Sequence, residues 1–356
     1  SAGLASTSTA TYSEAGAVSA KLSDSTFAAI DASDGSTLAE RTVESAAFTV
    51  GRFVPDHFAV SATPAAFQPG CGAFTYLGQP FGFGTAPVWS VTAQNAANAT
   101  TQNYAGTLFK LSGSSITGQA WSAASGSVAA VGALPDPTVT ELGGGLAGVS
   151  FDVGNPAAGG GLAFARSALS APFDASLTLA ASILDSENVA YASNPYQQSG
   201  IGFSDGNAAT STDAQMRFGR LRLSSANGSE LLPLPVPLTA QYWNGQGFVT
   251  NTLDNCTALP APTLTFYTQT SQNQLATGET TASYASPLVA GLAGLVLAAP
   301  GAGNYGFVDI SVNLGSLSWL RYNWTDASGF DNNPSSRAAF GKRSGSDKVI
   351  IRREIY

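Results

Sequence analysis

The chain has 356 residues, with 15 basic and 23 acidic side chains and a formal net charge of −8. Charged residues make up only 11% of it, against roughly 25% in ordinary soluble domains, while hydrophobic residues reach 44%. That balance excludes an intrinsically disordered chain and, being acidic, a general nucleic-acid binder. At roughly 100–200 residues per domain the length provides two or three domains, each able to bury its own core.

The start, Ser1-Ala2-Gly3-Leu4, carries no signal-peptide pattern, so the chain reads as a processed form or a fragment. Val18-Ser19-Ala20-Lys21-Leu22 alternates apolar and polar residues, the period of a half-buried strand. Leu177-Thr178-Leu179 and Val308 to Leu314 repeat the pattern. Each is followed by an apolar–Gly–basic motif: Val50-Gly51-Arg52-Phe53, Phe218-Gly219-Arg220-Leu221 and Phe340-Gly341-Lys342-Arg343. A second repeat runs in the same order. Val91-Thr92-Ala93-Gln94 precedes Thr101-Gln102-Asn103, and Leu238-Thr239-Ala240-Gln241 precedes Thr250-Asn251. Gly143-Gly144-Gly145, Gly159-Gly160-Gly161, Asn227-Gly228 and Asn244-Gly245 read as turns, and no long stretch keeps a helical period. The expected fold is all-β, in tandem immunoglobulin-like sandwiches. Residues 57–225 and 226–356 would each form a module, and 1–56 would be the closing strands of an incomplete one.

The longest apolar run, Leu288 to Ala299, is broken by glycines and too short to span a bilayer. Residues 321–356 hold seven basic side chains (Arg321, Arg337, Lys342, Arg343, Lys348, Arg352, Arg353) against four acidic ones. These read as edge-strand charges that oppose aggregation, or as a surface for an acidic partner.

Few residues suggest chemistry. Cys71 and Cys256 lack metal-ligand spacing; one disulfide in an oxidising compartment is the preferred reading, two buried thiols the alternative. The single histidine, His57, follows Asp56 at a module corner and reads as structural. Asp185 with Glu187, Asp205 and Asp254 lie in no aromatic groove of the glycosidase kind, and no phosphate-binding loop is present. No catalytic residue and no enzyme activity are expected. Asp326, Asp331, Asn332 and Asn333 form an oxygen-rich stretch that offers calcium ligands, or caps its own turns before Pro334. Beside it, Trp319, Tyr322 and Trp324 offer a stacking surface for sugar rings, or core packing. No other cofactor is expected.

Longer motifs give a direction. Gly51-Arg52-Phe53-Val54-Pro55-Asp56-His57-Phe58, the run Leu234 to Gly245 with Asp254-Asn255-Cys256-Thr257, Trp319 to Trp324, and Arg352-Arg353-Glu354-Ile355-Tyr356 resemble the MshQ-like proteins. These are encoded with the mannose-sensitive haemagglutinin type IV pilus of Gram-negative bacteria. The resemblance implies a large exported protein with an upstream lectin-like or laminin-G-like domain and a C-terminal domain of unknown function. It supplies no catalytic residues. The expected role is a non-enzymatic surface protein, pilus-associated or adhesin-like, located outside the cell or on the surface of a Gram-negative bacterium. The alternatives are a fibre subunit assembled by strand complementation and a carbohydrate-binding module. Partners would be other pilus or surface proteins, copies of itself, or surface glycans.

Overall fold

Alternation writes the fold most plainly at Val88–Gln94 and Leu177–Ile183, where every second side chain is buried. Packing two such faces together makes a sandwich, and the computed structural model contains two sandwiches in series, preceded by a hairpin arm. It describes residues 7–204, 215–324 and 329–341.

The arm comes first. Strands β1 (Gly16–Ala20), β2 (Ser23–Asp24), β3 (Val43–Glu44) and β4 (Phe48–Phe53) fold back on one another, β1 with β4 and β2 with β3. A 3-10 helix at Ala29–Asp34 closes the tip. Among the described residues these strands pair with no strand of either sandwich. The segment expected to close an incomplete module is thus a self-paired ribbon. Strand pairing is a local choice here because 16–53 can double back on itself.

The first sandwich runs from β5 (His57–Ala62) and β6 (Ala66–Phe67), through β7 (Phe74–Tyr76), β8 (Phe83–Thr85), β9 (Val88–Gln94), β10 (Ile116–Ala123) and β11 (Val128–Ala130), to β12 (Thr138–Gly143) and β13 (Leu146–Ser150). It ends with β14 (Leu162–Phe164), β15 (Phe173–Asp174), β16 (Leu177–Ile183) and β17 (Tyr196–Phe203). One sheet has the order β12-β13-β9-β5, the other β10-β16-β17-β6-β8. The chain changes sheets at Pro64: β5 pairs antiparallel with β9, then β6 pairs parallel with β17. Proline suits this crossing because it has no N–H to leave unpaired. Trp89, Leu177, Leu179 and Ile183 are fully buried between the sheets; each aliphatic side chain so buried contributes about 1.5–3 kcal/mol. The Trp89 indole N–H donates to Gln198 Oε1 at 2.8 Å, so its one polar atom is satisfied.

A short strand, β18 (Gln215–Arg217), leads into the second sandwich: β19 (Gly219–Leu223), β20 (Ala226–Gly228), β21 (Leu234–Pro235), β22 (Leu238–Trp243) and β23 (Phe248–Thr250). It continues with β24 (Thr263–Thr265), β25 (Ala282–Ser283), β26 (Val296–Leu297), β27 (Gly306–Ser311) and β28 (Ser335–Phe340). The topology repeats. β19 pairs antiparallel with β22, then β20 crosses over to pair parallel with β28, in a sheet of order β20-β28-β27-β24. Both sandwiches therefore have the immunoglobulin arrangement, with a first strand shared between sheets. The expected boundary at 225/226 falls between β19 and β20, two strands of the same sandwich.

The Thr-Ala-Gln repeat marks equivalent places. The Ala93 N–H donates to Gly145 C=O (2.8 Å) and the Thr101 N–H to Ala93 C=O (2.9 Å); Ala240 does the same with Gly291 (2.8 Å) and Asn251 (2.9 Å). The apolar–Gly–basic motif does not. Its copies fall in the arm, in the first strand of the second sandwich, and at Phe340-Gly341 at the end of β28, with Lys342 and Arg343 outside the described residues.

Candidate functional site

The joint between the sandwiches brings together a disulfide, buried polar side chains and cation–aromatic contacts. Its central element is the loop 68–82 of the first sandwich, which reaches into the second. Backbone hydrogen bonds between Cys71 and Phe74 (2.9 and 3.0 Å) close a tight turn, with Gly72 at φ +55° supplying the left-handed corner. β7 then pairs parallel with β18, register Tyr76↔Arg217, and β15 pairs with the other edge of β18. Cys71, Phe74 and Tyr76 belong to the hydrophobic core of the second sandwich, although their chain belongs to the first. Gly219 permits this, since a Cβ there would collide with the Tyr76 ring.

Around Tyr76 lies a buried polar network. Its hydroxyl donates to Asp254 Oδ2 at 2.9 Å and accepts from Asn251 Nδ2 at 2.8 Å, and Arg217 Nη1 donates to Asn251 Oδ1 at 2.5 Å. Asp254, fully buried at 0% exposure, also accepts from the Thr257 hydroxyl (2.8 Å) and N–H (3.0 Å). Burial, and then the negative charge of Asp254, push the Tyr76 phenol well above its ordinary pKa, so it stays a donor. Cys71 and Cys256 form a disulfide across the joint, with Cα atoms 5.8 Å apart. Cys71, Asp254 and Cys256 are grouped as metal ligands would be, but with both sulfurs in the disulfide neither is a thiolate ligand.

Around this network, two arginines pack on aromatic rings. Arg166 Nη2 donates to Gly219 C=O (2.7 Å) and Arg321 C=O (2.6 Å), with its guanidinium 4.2 Å from the Phe218 ring centre and 4.8 Å from that of Phe330. Arg220 donates to Gln241 Oε1 (2.9 Å) and lies 3.5 Å from the centre of Phe248, 4.9 Å from Tyr322 and 5.1 Å from Trp324. Burial brings both guanidinium groups down to about 10, which leaves them cationic at neutral pH.

Of the residues singled out from sequence, Cys71, Cys256, Asp254, Trp319, Tyr322, Trp324 and Asp331 to Asn333 lie in or near this joint. Tyr322 and Trp324 are half-buried against Arg220 and each other, rings 5.1 Å apart. Trp319 packs on the second core and lines an open cleft of about 720 Å³ with Gln68, Pro80, Asn155, Pro156 and Ser316. Asp331 is exposed, Asn332 exchanges backbone hydrogen bonds with Tyr322, and Asn333 Oδ1 accepts from the Leu314 N–H at 3.1 Å. Asp326 lies outside the described residues, as does Asp205. At the other end of the first sandwich, His57 lies between Asp56 Oδ2 (2.9 Å) and Gln94 Oε1 (3.1 Å). Asp185 accepts from the Tyr104 hydroxyl (2.7 Å) and the N–H groups of Glu187 and Val189, while Glu187 pairs with Arg52.

Sequence reading missed the loop 68–82 as a bridging element. It also missed a third repeat, Gly145-Leu146-Ala147-Gly148 and Gly291-Leu292-Ala293-Gly294, which occupies equivalent places beside β9 and β22. That match was legible and aligns the sandwiches better than the Gly-basic motif.

A family model described as DUF6701, third domain, matches residues 12–211, more than half the chain. The chain belongs to the DUF6701 family. A second model, DUF6701, fourth domain, matches residues 217–355. The DUF6701 third domain thus spans arm and first sandwich together, and the fourth begins at the end of β18. No curated protein matches. Among solved structures, one of a surface layer protein SbsC, domains 4-9, matches at 11% identity over 83% of this chain and 33% of that one, with a TM-score of 0.17. This chain spans about a third of that structure, and a score so low carries no argument about fold or role.

Proposed function

We propose that this chain is a non-enzymatic structural segment of an exported surface protein, holding two sandwiches as one stiff unit. The observation that carries this reading is the joint. A loop of one sandwich is built into the core of the next and fixed there by a disulfide, a bond that persists in oxidising compartments outside the cytosol. Among the described residues, Asp185, Glu187, Asp254 and His57 are engaged in structural hydrogen bonds and ion pairs. The finer role, association with a type IV pilus, rests on the motif resemblance and not on the joint. The test is surface labelling of intact cells, together with piliation and attachment of a strain lacking the protein. Labelling of the folded, oxidised protein on intact cells is expected. Strictly cytoplasmic, reduced protein would end the surface reading, and unchanged piliation and attachment would end the pilus role.

One observation favours a second reading, recognition of surface glycans. Trp319 lines a cleft together with amide and proline side chains, a mixture suited to stacking and hydrogen bonding a sugar. Of the three aromatic candidates only Trp319 lines this cleft, since Tyr322 and Trp324 pack against Arg220. Glycan-array binding that persists unchanged in Trp319→Ala would remove this reading.

A further inference from the structure

The arm presents an apolar tip that no other described residue covers. Phe27 is 80% and Ile30 84% exposed, and Leu22, Leu38 and Val43 are exposed beside them. Bulky apolar side chains grouped in this way on one projecting element mark an interaction surface. The tip is also acidic. Residues 21–44 carry Asp24, Asp31, Asp34, Glu40 and Glu44 against Lys21, which pairs with Glu44, and Arg41, a net excess of three acidic side chains. Backbone and hydroxyl hydrogen bonds from Thr26, Ser36 and Thr37 hold Asp24, Asp34 and Glu40 below the ordinary carboxylate range, so these groups are charged at neutral pH.

One segment of the same sequence has the opposite character. Residues 342–356, beyond the described structure, carry Lys342, Arg343, Lys348, Arg352 and Arg353 against Asp347 and Glu354, and interleave them with Val349, Ile350, Ile351, Ile355 and Tyr356. It is both apolar and basic, as a partner for an apolar and acidic tip must be. A second arm would meet the first with like charge.

The strand directions place the two elements at opposite ends. The arm joins the first sandwich at its His57–Gln94 end, where Asn95 Nδ2 donates to Ser13 C=O (3.1 Å) and the Asn103 N–H to Glu14 (2.9 Å). β5 leads away from that end towards the joint. The second sandwich repeats the order: its Arg220–Gln241 end faces the joint, and the chain leaves at the far end, where the Gly341 N–H donates to Gly228 C=O (2.8 Å). The length of two sandwiches therefore separates a copy's arm from the point where its own residues 342–356 begin.

We propose that the arm tip docks residues 342–356 of a second copy, so that chains join head to tail. This extends the structural role proposed above and rests on it only in part: assembly can fail while the surface reading stands. Such a contact is heterologous, and repeated it builds a ring where its rotation closes and an open filament where it does not.

The test uses the 356-residue chain in sedimentation velocity across a concentration series, with a photo-crosslinking amino acid placed at Phe27. Isotopically labelled and unlabelled copies are mixed so that cross-links between chains are identified by mass spectrometry. The expected result is concentration-dependent association, at least about tenfold weaker at about 0.5 M than at about 0.05 M NaCl because part of the contact is ionic. Cross-links should fall in residues 342–356 of another copy. Phe27→Asp with Ile30→Asp should abolish association, as should Arg352→Glu with Arg353→Glu. Asp31→Lys with Asp34→Lys should associate with the Arg352→Glu, Arg353→Glu protein although neither associates alone, which separates lost contact from lost folding. A protein that is monomeric at every concentration overturns the proposal. So does association that survives both sets of substitutions, or cross-linking elsewhere.

Discussion

The two sandwiches have one topology, but the same end of each is filled differently. At the joint, that end of the second sandwich receives a loop of its neighbour, with Tyr76 and Asp254 at 0% exposure and a disulfide beside them. In the first, the corresponding end holds its own Tyr104–Asp185 pair and carries the arm through Ala15, buried in that core at its root, and through surface contacts such as Arg52–Glu187. Even the cross-strand pairs correspond, Arg220–Gln241 in one and His57–Gln94 in the other. The immunoglobulin end is thus a general socket, and what enters it decides between a fixed joint and an exposed attachment. Buried, mutually hydrogen-bonded polar groups such as Tyr76, Asn251 and Asp254 make the joint specific, because losing one partner strands the others at about 1–3 kcal/mol each.

The sharpest way to break the comparison is to remove the disulfide. Cys71→Ser with Cys256→Ser should destabilise the second sandwich by about 3–5 kcal/mol, from the entropy returned to a long open loop. Denaturant unfolding followed by hydrogen exchange in β22 and β27 checks this; equal losses in both sandwiches would mean that the joint favours neither. Next in size is a matched pair. Gly145 (φ +79°) and Gly291 (φ +75°) both have a Cβ position pressed on a carbonyl, of Thr101 and Asn251 respectively. Gly145→Ala and Gly291→Ala should each cost roughly 2 kcal/mol in the sandwich that holds it, through backbone strain and crowding. If only one of the two were costly, the sandwiches would not be equivalent there.

A pH effect follows from the buried tyrosines. Tyr76 and Tyr104 both have pKa values raised above 10.0, in each case first by burial and then by a carboxylate, Asp254 or Asp185. Above pH 10 the unfolded chain releases these protons while the folded chain keeps them. Stability is therefore fully present below that pH and declines as pH rises beyond it. Tyr76→Phe should flatten the alkaline decline in the second sandwich only, and Tyr104→Phe in the first only, read from unfolding midpoints between about pH 9 and about pH 11. The smallest effect belongs to the arm: Arg52→Ala removes a partly exposed ion pair and should change stability by no more than about 1 kcal/mol, less at high salt.

The sandwich strands were legible because alternation and burial coincide: Trp89, Val91 and Ala93 face inward, as do Val308 and Ile310. The Thr-Ala-Gln repeat located equivalent strands because its backbone hydrogen bonds recur. The Gly-basic motif misled because its glycines do three unrelated jobs. Gly51 turns under Phe53 at φ +91°, Gly219 makes room for Tyr76, and Gly341 turns against Tyr305 at φ +78°. The joint left little trace in the sequence, since Tyr76 and Asp254 are 178 residues apart and each alone is an ordinary residue. Trp319, Tyr322 and Trp324 were legible as a group, but not the arginine that occupies two of them.

The disulfide at the joint has a mechanical meaning. Cys71 and Cys256 are 185 residues apart in sequence and covalently adjacent in space. A pull applied to the two ends of the chain passes from one sulfur to the other, and every strand from β7 to β23 lies outside the loaded path. At up to about 3.5 Å per extended residue, roughly 600 Å of chain is held back from stretching. Most of the first sandwich, and the strands that open the second, would keep their fold under a load that strips the arm, β5 and β6 from one side and β24 to β28 from the other.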